Sequence, residues 1–102
     1  MMKTVTVTWR AFSEERRGVV TQPEASKTIE VDTDLTDIEL CEQFFMQTNL
    51  YTGPLWDALQ PLPADRTHTS LSSNATRGGD LVTIDGRTYS CEPIGWWRQE
   101  DI

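Results

Sequence analysis

His68 is the one histidine of the 102-residue chain, and it sits in "ADRTHTSLSS" with Asp65 shortly before it and Ser70 and Ser72 just after it. In a Ser/His/Asp arrangement an imidazole takes the hydroxyl proton while a carboxylate orients the ring, which is the chemistry of acyl transfer. Such sets are defined by geometry in space rather than by nearness along the chain. A His hydrogen-bonded within its own loop is the reading preferred here, and a small hydrolase or transferase using His68 is the alternative. A single His also removes multi-histidine metal sites. The paired carboxylates Asp32/Asp34 and Glu39/Glu42 lack the D-x-[DN]-x-[DN]-G-x5-E order of a calcium loop, and they read as solvated or helix-start residues. Gly78-Gly79-Asp80 leads into a strand rather than a helix N-terminus, so it is no phosphate loop. Cys41 and Cys91 have no CxxC or Cys/His companions and read as two buried free thiols. Asn74-Ala75-Thr76 matches a glycosylation pattern that means nothing without secretion. No metal and no cofactor are expected.

Charge placement says more. The net charge is −7. Residues 28–65 hold eight acids (Glu30, Asp32, Asp34, Asp37, Glu39, Glu42, Asp57 and Asp65) and no Lys or Arg, whereas the remainder carries nine basic and eight acidic residues. A nucleic-acid backbone needs a basic footprint, so direct binding to it is disfavoured and a basic protein partner fits better. The start of the chain has no apolar run of signal-peptide length, and nothing is long and apolar enough to span a membrane. A soluble, cytoplasmic protein is expected.

These residues must be positioned by a modest fold. At 37% hydrophobic the chain suits one domain over residues 1–102. Residues 3–12 alternate Val5, Val7, Trp9 and Ala11 with Thr4, Thr6, Thr8 and Arg10, a strand with one wet face. Residues 13–26 read as a loop on their Glu14-Glu15-Arg16-Arg17 cluster, Gly18 and Pro23, with Val19-Val20 as a strand edge. Residues 27–32 alternate again, with Ile29 and Val31 inward.

Residues 36–49 predict the main helix. Thr36 and Glu39 form a capping box, Leu35 and Leu40 a hydrophobic staple, and Asp37 lies where the helix dipole favours an acid. Ile38, Cys41, Phe44, Phe45 and Thr48 share one face, expected to lie on the sheet through the Phe pair; Glu39, Glu42, Gln43 and Met46 share the other. Gly53-Pro54 starts a short second helix that Pro61 and Pro63 end. There Leu55, Trp56 and Leu59 would cover the core edge, or Tyr51 and Trp56 would be offered as contact residues. Residues 66–79 read as a long polar, mobile loop with a short strand at 68–71. Asp85-Gly86 is a strong type I′ hairpin signal that sets Val82 opposite Tyr89 and Ile84 opposite Arg87. Pro93 to Trp97 then bend, with one of Trp96 and Trp97 buried, before a tail at 98–102. The predicted class is α+β: a small antiparallel sheet of about four strands, one main helix on one face and a second short helix.

The stretch "NLYTGPLWDALQPLPADRTHTSLS", continuing through "GGDLVTIDGRTYSCEPIGWW", resembles small accessory proteins encoded by actinobacterial phages and related mobile elements. These share the Tyr-x-Gly-Pro-Leu-Trp turn, an Arg-(Ser/Thr)-His-Thr-Ser-Leu-Ser stretch and a Gly-Asp-x-Val-x-(Val/Ile)-Asp-Gly-x-x-Tyr-x-Cys ending in Gly-Trp. The part from Leu71-Ser72 to Gly79-Asp80 is similar to a tighter "SLSVGD" element, and this chain departs from it by inserting residues 73–78. The resemblance covers about residues 37–97 and implies a phage or plasmid accessory protein, with no catalytic residue to carry over. The functional expectation is a non-enzymatic protein, acting in the host-cell cytosol, that binds a host macromolecule through Glu39, Glu42, Met46, Tyr51, Trp56 and Asp57. Alternatives are an acidic mimic of DNA in anti-defence, the His68 enzyme, and a homodimer formed through a sheet edge.

Overall fold

The computed structural model describes residues 1–14, 20–73 and 78–99, and of Ser13, Glu14 and Val20 only the backbone. The parts of the expected loops and tail at 15–19, 74–77 and 100–102 lie outside the described residues. The order of elements is β1 (Met2–Trp9), β2 (Phe12–Glu14), β3 (Val20–Gln22), β4 (Ala25–Asp32), α1 (Asp37–Leu50), α2 (Pro54–Ala58), β5 (Leu81–Ile84), β6 (Arg87–Glu92) and β7 (Gly95–Arg98). Five strands form one antiparallel sheet in the order β4-β1-β5-β6-β7, and β2 pairs with β3 separately. The class is α+β as the patterning predicts, with one more strand in the sheet than expected.

The alternation of β1 decides which face is dry. Val5, Val7 and Trp9 are buried together with Val82, Ile84, Tyr89, Cys91 and Trp96 of the neighbouring strands, and Leu40, Cys41, Phe44, Leu59 and Leu71 close over them. The other face is wet and rich in hydroxyls. Thr6 lies opposite both Thr28 and Thr83, and Thr83 opposite Thr88. The Thr6 and Thr28 hydroxyls pair at 2.8 Å and those of Thr83 and Thr88 at 2.9 Å. The hairpin between β5 and β6 turns on Asp85 (φ 48°) and Gly86 (φ 85°), both in the positive-φ region that a type I′ turn requires, and its register is the predicted one.

Four expectations are corrected. The span 13–26 is not simply a loop, because β2 and β3 pair within it and β4 begins at Ala25. The Arg10 amide donates to the Asp80 carboxylate at 2.9 Å, so the chain leaves the main sheet there. Gln22 ties the small hairpin to the following polar stretch, its carboxamide oxygen accepting the Thr67 and His68 amides at 3.0 and 3.2 Å.

Second, the stretch beginning at Arg66 is no mobile polar loop over its described part. Arg66, Thr69, Ser70 and Leu71 are buried, and no strand forms at 68–71. Several of its polar groups are satisfied inside the fold: Trp9 Nε1 donates to the Thr69 carbonyl at 2.7 Å, and the Leu71 amide donates to Thr48 Oγ1 at 3.1 Å. Arg66 reaches the carbonyls of Arg10, Pro23 and His68 at 2.6–2.8 Å and lies over the Phe12 ring.

Third, α1 does not sit on its Phe pair. The capping box forms, with Thr36 Oγ1 accepting the Glu39 amide at 3.2 Å and the Glu39 carboxylate accepting the Thr36 amide at 3.0 Å. The buried arc, however, is Leu40, Cys41, Phe44, Gln47 and Thr48, while Ile38 and Phe45 are exposed. Gln47 explains the rotation. Its carboxamide oxygen accepts the Leu55 and Trp56 amides at 2.7 and 3.2 Å, supplying the cap that Gly53 cannot. A Cβ at Gly53 (φ 119°) would overlap that carboxamide, so only glycine lets the two approach.

Fourth, the tail does not begin at residue 98, because the bend after Pro93 leads into β7, which pairs Trp96 with Cys91, Trp97 with Ser90 and Arg98 with Tyr89. Neighbouring strand residues face opposite ways, so Trp96 is buried and Trp97 is 58% exposed.

Candidate protein-binding face

The six residues expected to meet a partner fall into two groups. Glu39, Glu42 and Met46 lie exposed along the outer arc of α1, although the Glu39 carboxyl is held below the usual carboxylate range by its hydrogen bond with the Thr36 backbone. Gln43, expected beside them, turns instead toward Gln47, whose Nε2 donates to it at 3.4 Å. Tyr51 ends the helix in a left-handed conformation (φ 54°) and is 57% exposed. Its ring meets Trp56 edge-on at a centroid distance of 5.3 Å, and its hydroxyl accepts from Ser70 Oγ at 3.1 Å. Trp56 is half-buried and Asp57 exposed, while Leu55 and Leu59 of the same segment pack into or against the core. Trp56 is therefore neither a core lid nor a free anchor.

The surface that sequence reasoning missed lies along the other flank of α1. Phe45, 41% exposed, shares a hollow of about 200 Å³ with Glu42, Cys91, Glu92, Pro93, Gly95 and Trp96. A second hollow of about 430 Å³ continues from Glu92 and Pro93 to Ile94 and Trp97. Ile94 is 81% exposed at the tip of the β6–β7 turn. The two hollows adjoin at Glu92 and Pro93, the first on the α1 side with Phe45 and the second around the β6–β7 turn with Ile94 and Trp97. The signal available in the sequence was Ile94, a large apolar residue placed in a Pro-x-Gly turn where a polar one is usual.

The chemistry considered for His68 is not assembled. His68 is exposed, and its ring meets Phe12 edge-on at 5.6 Å. Among the described residues no hydrogen bond joins its imidazole to Asp65, Ser70 or Ser72. Ser70 Oγ donates to the Thr48 carbonyl and to Tyr51, and the Ser72 amide and hydroxyl donate to the Asp80 carboxylate. The Asp32 and Asp34 carboxylates accept from the Met1 ammonium at 2.9 and 3.4 Å, which raises the ammonium's pKa. The described residues contain no group of three or more His, Cys, Asp or Glu placed to hold a metal ion.

Both cysteines are free and buried, as their isolation in the sequence suggests. Burial pushes the Cys41 thiol up to about 12 and the Cys91 thiol to about 11, so neither is nucleophilic near neutral pH. Asp37, Arg87 and Tyr89 form a further charged cluster, which ties α1 to the β5–β6 hairpin rather than to a ligand. Comparison with known proteins adds no relative, since no family model, no curated protein and no solved structure matches the chain.

Proposed function

We propose that this chain works by binding rather than by catalysis, as a mobile-element accessory protein that docks on a basic host protein. The observation that carries the reading is the pair of hollows that adjoin at Pro93, one holding the exposed Phe45 and the other the exposed Ile94 and Trp97, with the acids Glu42 and Glu92 at their border. Contiguous apolar surface with a polar rim is the usual mark of an interaction site, and a partly exposed Trp is the commonest energetic anchor. Glu39, Glu42 and Met46 extend the face along α1, so the acids would steer a basic partner and the aromatic end would hold it. Tyr51, Trp56 and Asp57, at the far end of the helix, are the outer limit of the contact.

The test is to immobilise the full chain, pass host lysate over it, and compare what is retained by the wild type, by Trp97→Ala, and by a double Glu39→Lys, Glu42→Lys variant. A protein that the wild type holds at low salt and both variants release supports the reading. Retention that is indifferent to all three substitutions removes it.

A further inference from the structure

β4 is an edge strand, paired with β1 on one side only. The Thr33 amide donates to the Met1 carbonyl at 3.0 Å, which fixes the phase of the ladder. The odd-numbered residues of β4 face β1, and the N–H and C=O groups of Ser26, Thr28, Glu30 and Asp32 point off the sheet. No described residue hydrogen-bonds those groups. Beside this edge lies a cleft of about 400 Å³, lined by Val31, Leu35 and Leu40 and by Pro54, Leu55 and Ala58 on the α2 side. Glu30 and Asp32 line it as well, although their side chains belong to the opposite face of the sheet, so the cleft opens across the strand edge itself.

We propose that the free edge of β4 and this cleft accept an extended peptide as a sixth strand, with apolar side chains toward the helices and Lys or Arg on the other side. Register dictates that chemistry. Side chains of an added strand alternate between the faces, so one beside Val31 enters the apolar cleft and those beside Glu30 and Asp32 meet carboxylates. Asp32 already takes the exposed Met1 ammonium at 2.9 Å, and a lysine or arginine would replace one cation by another.

Charges on an edge ordinarily block pairing with another chain. Here they select. Pairing β4 with itself about Thr28 sets Asp32 against Glu24, pairing about Glu30 sets the two Glu30 side chains together, and pairing about Ile29 sets Glu30 and Asp32 against Thr28 and Ser26, so none of these registers gives the carboxylates a cation. The acidic outer row therefore favours a basic strand over a second copy of this one. The site is separate from the Phe45–Trp97 face and does not depend on it.

The test is to pan a displayed library of random decapeptides on the immobilised full chain and measure the recovered peptides by fluorescence polarisation. Thr28→Pro removes an outward N–H while leaving the β1 ladder intact, because proline is tolerated on an edge strand whose N–H faces solvent. Ala58→Trp fills the cleft from α2 and covers the case in which the proline variant fails to fold. The expected result is sequences alternating Lys or Arg with Val, Leu or Ile, whose affinity falls at least about tenfold in each variant and in Glu30→Lys but is unchanged in Trp97→Ala. No binders, binders without alternation, or binders lost only in Trp97→Ala would overturn the proposal, as would a β4-dependent dimer in sedimentation.

Discussion

Arg87 grips the Asp37 carboxylate with both ends of its guanidinium, Nε at 2.6 Å and an Nη at 3.1 Å, and so fastens the first turn of α1 to the β5–β6 hairpin. The Tyr89 hydroxyl donates to the same carboxylate at 2.6 Å, and Lys3 Nζ lies 3.5 Å away. Asp37 was legible as a helix-dipole acid, but its partners, far along the chain, were not. Of the eight acids in the base-free run, this one is neutralised by tertiary contacts and adds nothing to an acidic surface.

The cluster predicts an acid-dependent stability. The Arg87 hydrogen bonds, aided by those of Tyr89 and the nearby Lys3 charge, hold the Asp37 carboxyl down to about 2. A group whose folded value is depressed stabilises the fold above its ordinary value near 4 and loses that contribution as pH falls toward about 2. Asp37→Asn should therefore melt below the wild type at neutral pH, with the gap closing between about pH 4 and about pH 2. A gap that is constant across that range in thermal melts would show that Asp37 is not the titrating group.

The two phenylalanines should separate cleanly. Phe44 is buried and Phe45 is 41% exposed. Phe44→Ala should cost about 3–5 kcal/mol, as large core truncations do, whereas Phe45→Ala should cost about 1 kcal/mol or less. Chemical denaturation of the two variants checks the buried arc directly, and equal losses would refute it.

What the sequence allowed, and what it hid, follows from the range of each interaction. The Thr36/Glu39 capping box, the Asp85-Gly86 turn and the register it sets are local, and each was readable from a few adjacent residues. The β1 alternation was readable because its period matches the pleat. Gln47 was not, because a helical glutamine is polar by type and becomes buried only through the α2 amides it caps. The same holds for Arg66 to Leu71, whose composition is that of a loop and whose burial depends on Trp9, Thr48 and Gln22. Phe45 was misassigned because the apolar residues of α1 span a wider arc than the sheet covers.

Gln47 supplies the third prediction. Gln47→Ala leaves two amides of the first turn of α2 without their acceptor, and the segment is too short to hold itself. A loss of about 1–3 kcal/mol is expected, together with faster amide exchange at Leu55 and Trp56. Unchanged exchange at those two amides would mean that packing of Leu55 and Leu59 alone holds the turn.

The last prediction concerns adjacent residues of β7 and separates binding from catalysis. Trp96 faces the core and Trp97 faces solvent, so the same truncation should act on different properties. Trp96→Ala should destabilise the fold by about 3–5 kcal/mol. Trp97→Ala should barely move the melting temperature and should weaken partner binding by about 2 kcal/mol or more, if Trp97 is the anchor proposed. His68→Ala is the companion variant, because a reaction resting on this imidazole would lose orders of magnitude in rate while a binding protein would keep its function. The expected pattern is loss of binding in Trp97→Ala and retention in His68→Ala. A biological activity abolished by His68→Ala in a chain that still folds and still binds its partner would replace the binding reading with the enzymatic one.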